Sequence, residues 1–202
     1  MNASGPFDLV TMGRVGVDLY PEQSGVPLAE VRTFARSLGG SPTNVAVGAA
    51  RYGHGVAVIT KVGADGFGDY VHSALRGFGV DDRFVGTDPE LRTPIVFCEL
   101  LPPESPTIVF YRQPSAPDIQ VAAGELDLGA IRDARIFWTT GTGLSAEPSR
   151  TATMAALETR DRRAITVHDL DYRPMFWASS VIVPAPVPSA IVAFAGADSV
   201  TV

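Results

Sequence analysis

The chain has 202 residues, 46% hydrophobic and 19% charged, which suits one α/β core, or one domain with an appendage, and excludes a disordered polypeptide. A formal net charge of −6 leaves no basic footprint for nucleic acid or an anionic membrane surface. The single cysteine, Cys98, has no internal partner and lies in an apolar run, so a reducing cytoplasm and a buried, inert thiol are expected.

The N-terminus, MNASGPF, has no basic n-region and no long apolar stretch, which argues against a signal peptide. FDLVTMG (7–13) is the first of four β-branched or aromatic runs that end in small or polar residues. GVAVITKVG (55–63), ARIFWTTG (134–141) and AITVHDLD (164–171) follow, and each reads as a buried strand. Between them the spacing predicts helices over Pro42–Tyr52, over the stripe Phe67, Tyr70, Val71, Ala74, Leu75 and Phe78, and from about Pro148 to Arg160. The cluster Arg160, Arg162 and Arg163 reads as a solvated helix end. Strand and helix in alternation predict a mostly parallel sheet covered on both faces.

TPIVFCELL (93–101) and PTIVFYRQ (106–113) break this rhythm and predict a hairpin. It is expected either as a lid or dimer surface set apart from the main sheet, or as an antiparallel edge of it. After Trp177 the only charged residue is Asp198, and the apolar segment 178–197 is about long enough to span a bilayer. Pro184, Pro186 and Pro188 exclude a helix there, so no membrane span is expected. Residues 179–202 read as an unstructured tail separate from a domain over 1–178.

One stretch, LGGSPTNVAVGAARYG (38–53), invites a chemical reading. Ser41 is a suitable N-cap, Pro42 suits the first helical position, and Gly53 suits the end. Gly39 and Gly40 permit close approach by another group, and Asn44 falls in the first turn beside free backbone N–H groups. A tight turn feeding a close-packed helix explains the small residues; a ligand cradle also explains Asn44, which has poor helix propensity. Elsewhere, Lys61 lacks a Walker pattern and reads as solvated, and GADGFG has the wrong glycine spacing for a dinucleotide. His54, His72 and His168 have no metal-ligand spacing with one another or with Cys98; His168 reads as a satisfied structural histidine.

GGSPTNVA, followed by Gly53 and Gly63, resembles the N-terminal signature of the ribokinase-like (PfkB) sugar kinases. GRVGVDLYP (13–21), KVGADGFGDY (61–70) and DLDYRPMFW (169–177) fall in the order that family requires. The resemblance implies a doubly wound, mostly parallel sheet with a small β lid (about 93–113) and a C-terminal part of the fold missing. It makes Asp18, Gly39, Gly40 and Asn44 contacts for sugar hydroxyls. GRVGVDLYP, TGTGLSAEPSR and DLDYRPMFW are most similar to the family's kinases for 5-dehydro-2-deoxygluconate in inositol breakdown, with 2-keto-3-deoxygluconate kinases as the nearest alternative. Arg112 and Arg173 match positions near a sugar-acid substrate, whose carboxylate suits the planar guanidinium. Asp171 stands where related kinases carry Asn and is expected to orient Arg173.

The resemblance also implies ATP with Mg2+, and a Gly-Ala-Gly-Asp motif supplying the catalytic base and anion hole. The chain shows no such motif. FAGADS (194–199) has its glycines misplaced and follows Arg173 too closely, so Asp198 is not expected to act as the base. A truncated, catalytically impaired kinase is therefore expected, with a non-catalytic sugar-acid-binding protein as the alternative. Its partner is expected to be a small sugar acid, with a homodimer through the hairpin.

Overall fold

The computed structural model describes residues 6–101, 106–161, 164–177, 191–195 and 199–200. In chain order its elements are β1 (Leu9–Met12), β2 (Gly16–Pro21), β3 (Phe34–Gly39), α1 (Ser41–Arg51), β4 (Val56–Gly63), α2 (Gly66–Gly77), β5 (Val80–Asp81) and β6 (Val85–Asp88). They continue with β7 (Ile95–Glu99), β8 (Thr107–Tyr111), α3 (Leu128–Asp133), β9 (Ile136–Thr140), α4 (Ser149–Arg160), β10 (Ile165–Asp169), β11 (Ile191–Ala195) and β12 (Ser199–Val200).

Eight strands form one sheet in the order β12-β11-β10-β9-β1-β4-β5, with β6 also pairing β4. The run from β10 to β5 is parallel; β11 is antiparallel to β10, and β12 to β11. Successive side chains point to opposite faces, and both faces of the central strands carry apolar residues. On β4, Val56 and Val58 face a cluster with Ala46 of α1 and Val71 and Leu75 of α2. Ala57 and Ile59 face the other way, onto Ile131 of α3 and Ala152 and Ala156 of α4. Each fully buried Val or Leu contributes about 1.5–3 kcal/mol. The sheet is thus covered on both faces, as the alternating pattern predicts.

The hairpin does not join this sheet. β7 and β8 pair antiparallel from Ile95↔Tyr111 to Glu99↔Thr107. β7 then pairs β2, which pairs β3, giving a separate four-stranded sheet in the order β3-β2-β7-β8. The hairpin is thus set apart from the main sheet and is not an antiparallel edge of it. β2 and β3 escape sequence reading because three consecutive residues of β3 are exposed, which breaks the alternation.

Three local expectations change. Helix α1 begins at Ser41 itself, with Gly40 as the N-cap and no side-chain capping bond. The Ser41 hydroxyl is instead donated to Asp171 Oδ2, 3.0 Å away. Arg160 is not solvated: it is 3% exposed and its guanidinium is spent on backbone carbonyls. Arg162 and Arg163 lie outside the described residues. Lys61 is tied to Glu125 at 2.7 Å and to the Gln120 carbonyl at 2.9 Å rather than left in water.

Residues 191–195 and 199–200 form strands where the sequence shows no periodic element; the rest of the 179–202 segment, including Asp198, lies outside the described residues. Among the described residues no helix is long and apolar enough to cross a membrane. Cys98 is buried, and burial pushes its thiol pKa up, which keeps it protonated and unreactive.

Candidate functional site

The chain crosses from β1 to β4 on one side and later returns to β9 on the other, so β1 marks the topological switch of the parallel sheet. In doubly wound sheets, ligands bind beyond the carboxyl ends of strands at this point. Beyond β1 stand Gly13 and Arg14; beyond β9, Gly141 and Thr142; beyond β10, Leu170 and Asp171. The four-stranded sheet reaches over the same end, where the Arg14 guanidinium lies 5.4 Å from the ring centre of Phe110 on β8.

Asp18 on β2 pairs with Ser37 on β3, and its carboxylate packs directly against Gly39. A Cβ at Gly39 would fall 2.1 Å from Asp18 Oδ1, so glycine is what leaves room for the acid. Gly40 adopts φ +109 with its Cα against the Arg14 carbonyl oxygen, a placement that favours glycine. Burial raises the Asp18 pKa, opposed by the charge of Arg14.

Asp171 is 5% exposed and gathers several elements. Its Oδ2 accepts from Ser41 Oγ at 3.0 Å and from Thr142 Oγ1 at 3.4 Å, and its Oδ1 accepts from Arg173 Nε at 2.9 Å. Arg112 is buried, donates from Nη2 to Asp118 Oδ2 at 2.9 Å, and stacks 4.6 Å from the Phe176 ring centre. Arg14 lies among these groups: the charges of Asp118, Arg112, Asp18 and Asp171 all act on it. Asn44 is exposed, in a groove with Ser37, Leu38 and Arg51, and its side chain makes no hydrogen bond among the described residues.

Asp18, Gly39, Gly40, Asp171, Arg112 and Arg173 thus occupy one end of the domain, while Asn44 stands at its open margin. Four groups there were not singled out by sequence: Arg14, Ser41 as a ligand of Asp171, Asp118 and Thr142. Arg14 and Thr142 lie inside GRVGVDLYP and TGTGLSAEPSR, and an arginine between two glycines just after a strand was the available signal. His168 does not fit the expectation of a satisfied residue: its Nδ1 is shielded and has no hydrogen-bond partner. Burial lowers its pKa against the pull of Asp169, so the ring is neutral at pH 7.

Asp18→Asn gives a test with a defined sign. Because burial raises the folded pKa above the ordinary 3.8, this group's stabilising contribution is complete below pH 3.8 and lost as pH rises through the folded value. At pH 7 the ionised carboxylate costs stability. The variant is expected to melt higher than the parent at pH 7, with the gain shrinking towards pH 4. A lower melting temperature at pH 7 would contradict the account.

An α/β domain with a small sheet over the switch point, and with carboxylates and guanidiniums converging beneath it, is a small-molecule site by class. The profile of the pfkB family carbohydrate kinases matches residues 7–197, and the chain belongs to this family. It is 35% identical over 175 residues to a 5-dehydro-2-deoxygluconokinase of Shouchella clausii, covering 86% of this chain and 53% of that protein. It is 37% identical over 178 residues to fructokinase-1 of Zea mays, covering 88% and 55%. A sugar kinase of Pyrococcus horikoshii solved in complex with ATP superposes with a TM-score of 0.75 at 29% identity, covering 84% and 55%. The chain spans about half the length of the curated relatives it matches.

Proposed function

We propose that this chain is the sugar-binding part of an ATP-dependent sugar-acid kinase whose substrate is 5-dehydro-2-deoxy-D-gluconate. The observation that carries this reading is that Asp18, Arg112 and Asp171, which holds Arg173, all act on the charge of Arg14 at the switch point. A half-buried carboxylate that accepts no hydrogen bond among the described residues suits sugar hydroxyls, which donate. Several guanidiniums gathered at one site suit an anionic substrate. Identity to 5-dehydro-2-deoxygluconokinases supports the particular acid.

In this scheme Asp18 and Asn44 hold hydroxyls, Gly39 and Gly40 let the sugar approach the backbone, and Asp171 orients Arg173. ATP with Mg2+ would supply the phosphoryl group. No described residue stands as a base beside Asp18, and nothing there forms the anion hole the transfer needs. The 202-residue chain by itself is therefore proposed to bind the acid without transferring phosphate to it at enzymatic rates.

Calorimetry with 5-dehydro-2-deoxy-D-gluconate, 2-keto-3-deoxy-D-gluconate and D-fructose tests the first half, with the first acid expected to bind tightest. A coupled assay for ADP release tests the second. Turnover on the order of 10 per second would refute the division of labour, and a preference for fructose would refute the sugar-acid reading.

A further inference from the structure

We infer that Arg14 is the residue that receives the substrate carboxylate, and so selects a sugar acid over a neutral sugar. This rests on the sugar-acid reading above and adds a residue to it. Of the three guanidiniums at the site, two already have anionic partners. Arg112 gives Nη2 to Asp118, and Arg173 gives Nε to Asp171. Arg14 donates no hydrogen bond among the described residues, although its Nε and Nη1 are shielded from solvent; Arg112 Nη1 is likewise shielded and unpaired, but Arg112 keeps its bond to Asp118. Shielded charged donors without acceptors are costly, and in native structures they are retained where something else bonds them.

The surrounding charges say what that something is. Asp118, Asp18 and Asp171 face Arg14, with Arg112 beside Asp118, so its cation is held in place by acids that do not bond to it. Those same acids accept from hydroxyls but repel a carboxylate. Arg14 offers an anionic substrate two shielded, unpaired donors on a guanidinium that bonds to no acid, whereas Arg112 has one such donor and is already bonded to Asp118. The backbone fixes this placement. Arg14 follows Gly13 at the end of β1, and its carbonyl oxygen packs on Gly40, so the cation and the glycine loop move together. The Phe110 ring on β8 lies 5.4 Å from the guanidinium, which ties the cation to the lid sheet.

The test is calorimetric, on the 202-residue chain, with 5-dehydro-2-deoxy-D-gluconate and D-fructose as ligands. Arg14→Met is expected to lose affinity for the acid by roughly 30-fold or more while its affinity for fructose stays within about threefold. Arg14→Lys, which keeps the charge among the three acids but not the planar fork, is expected to lose at least about fivefold for the acid. Parent chain that binds the acid, with Arg14→Met binding it equally well, would overturn the role of Arg14 and leave the sugar-acid reading standing. Parent chain that binds fructose but not the acid would overturn both. If thermal melts show that Arg14→Met does not fold, undiminished acid binding by Arg14→Lys overturns the proposal.

Discussion

Replacing Arg160 with alanine is expected to destabilise the chain by ~3–5 kcal/mol. From the end of α4 its Nη1 donates to the carbonyls of Ala134, Ile131 and Arg132 at 2.7, 2.8 and 3.0 Å. Its Nη2 donates to Ile165 at 2.9 Å and Arg135 at 3.4 Å, and Nε to Thr166 Oγ1 at 3.2 Å. The carbonyls of Ile131, Arg132 and Ala134 close the C-terminal end of α3, where a helix has unpaired oxygens and negative partial charge. One side chain thus fastens α3, α4 and the start of β10. Its removal leaves several shielded oxygens without donors, each costing about 1–3 kcal/mol where water cannot reach. Urea unfolding measures the loss, and the melting temperature should fall by roughly 10 °C. Lysine, a single ammonium, should recover only part of it. A change under about 1 kcal/mol would show that water replaces the guanidinium freely.

The second large effect separates two adjacent glycines. Gly40→Ala is expected to cost ~3 kcal/mol or more, because φ +109 disfavours any side chain and its Cβ would sit 2.3 Å from the Arg14 carbonyl oxygen. That obstacle is backbone, so relief requires the end of β1 to move. At Gly39 the obstacle is the Asp18 carboxylate, a side chain that can rotate away. Gly39→Ala is therefore expected to keep a cooperative melt while losing sugar binding by roughly tenfold or more. Equal stability losses in the two variants would contradict this distinction.

The contrast shows what could be read from the chain beforehand. Gly39 and Gly40 announce a close approach, but whether a side chain or a carbonyl approaches depends on β2 folding back along β3. The strands β1, β4, β9 and β10 were legible because each is a run rich in β-branched or aromatic residues; β1, β4 and β9 are buried as expected, whereas only Thr166 of β10 is buried and Ile165 is exposed. β2 and β3 were not legible, since the small sheet leaves one face in water and their pattern is irregular. Arg160 looked solvated because its sequence neighbours are charged, and only the packing of α3 beside α4 surrounds it with carbonyls. Arg14 was hidden for the same reason: its shielding comes from Phe110 and its charge environment from Asp118 and Asp171, all far along the chain. Asp18, Arg112 and Arg173 were named through family motifs, and so was Asp171 as the partner of Arg173; the pairing of Arg112 with Asp118 required the three-dimensional arrangement.

The bond from Ser41 to Asp171 joins residues 130 positions apart. During synthesis at about 5–20 residues per second, the glycine loop is made roughly 6–26 s before its latch exists. For that interval the nascent chain can form α1 on β1 and β4, whose contacts are local, but the hydroxyl at the start of α1 has no carboxylate to hold it. The Ser41–Asp171 latch at the switch point is thus among the last features to be completed, and a ribosome stalled before β10 would display the glycine loop unlatched.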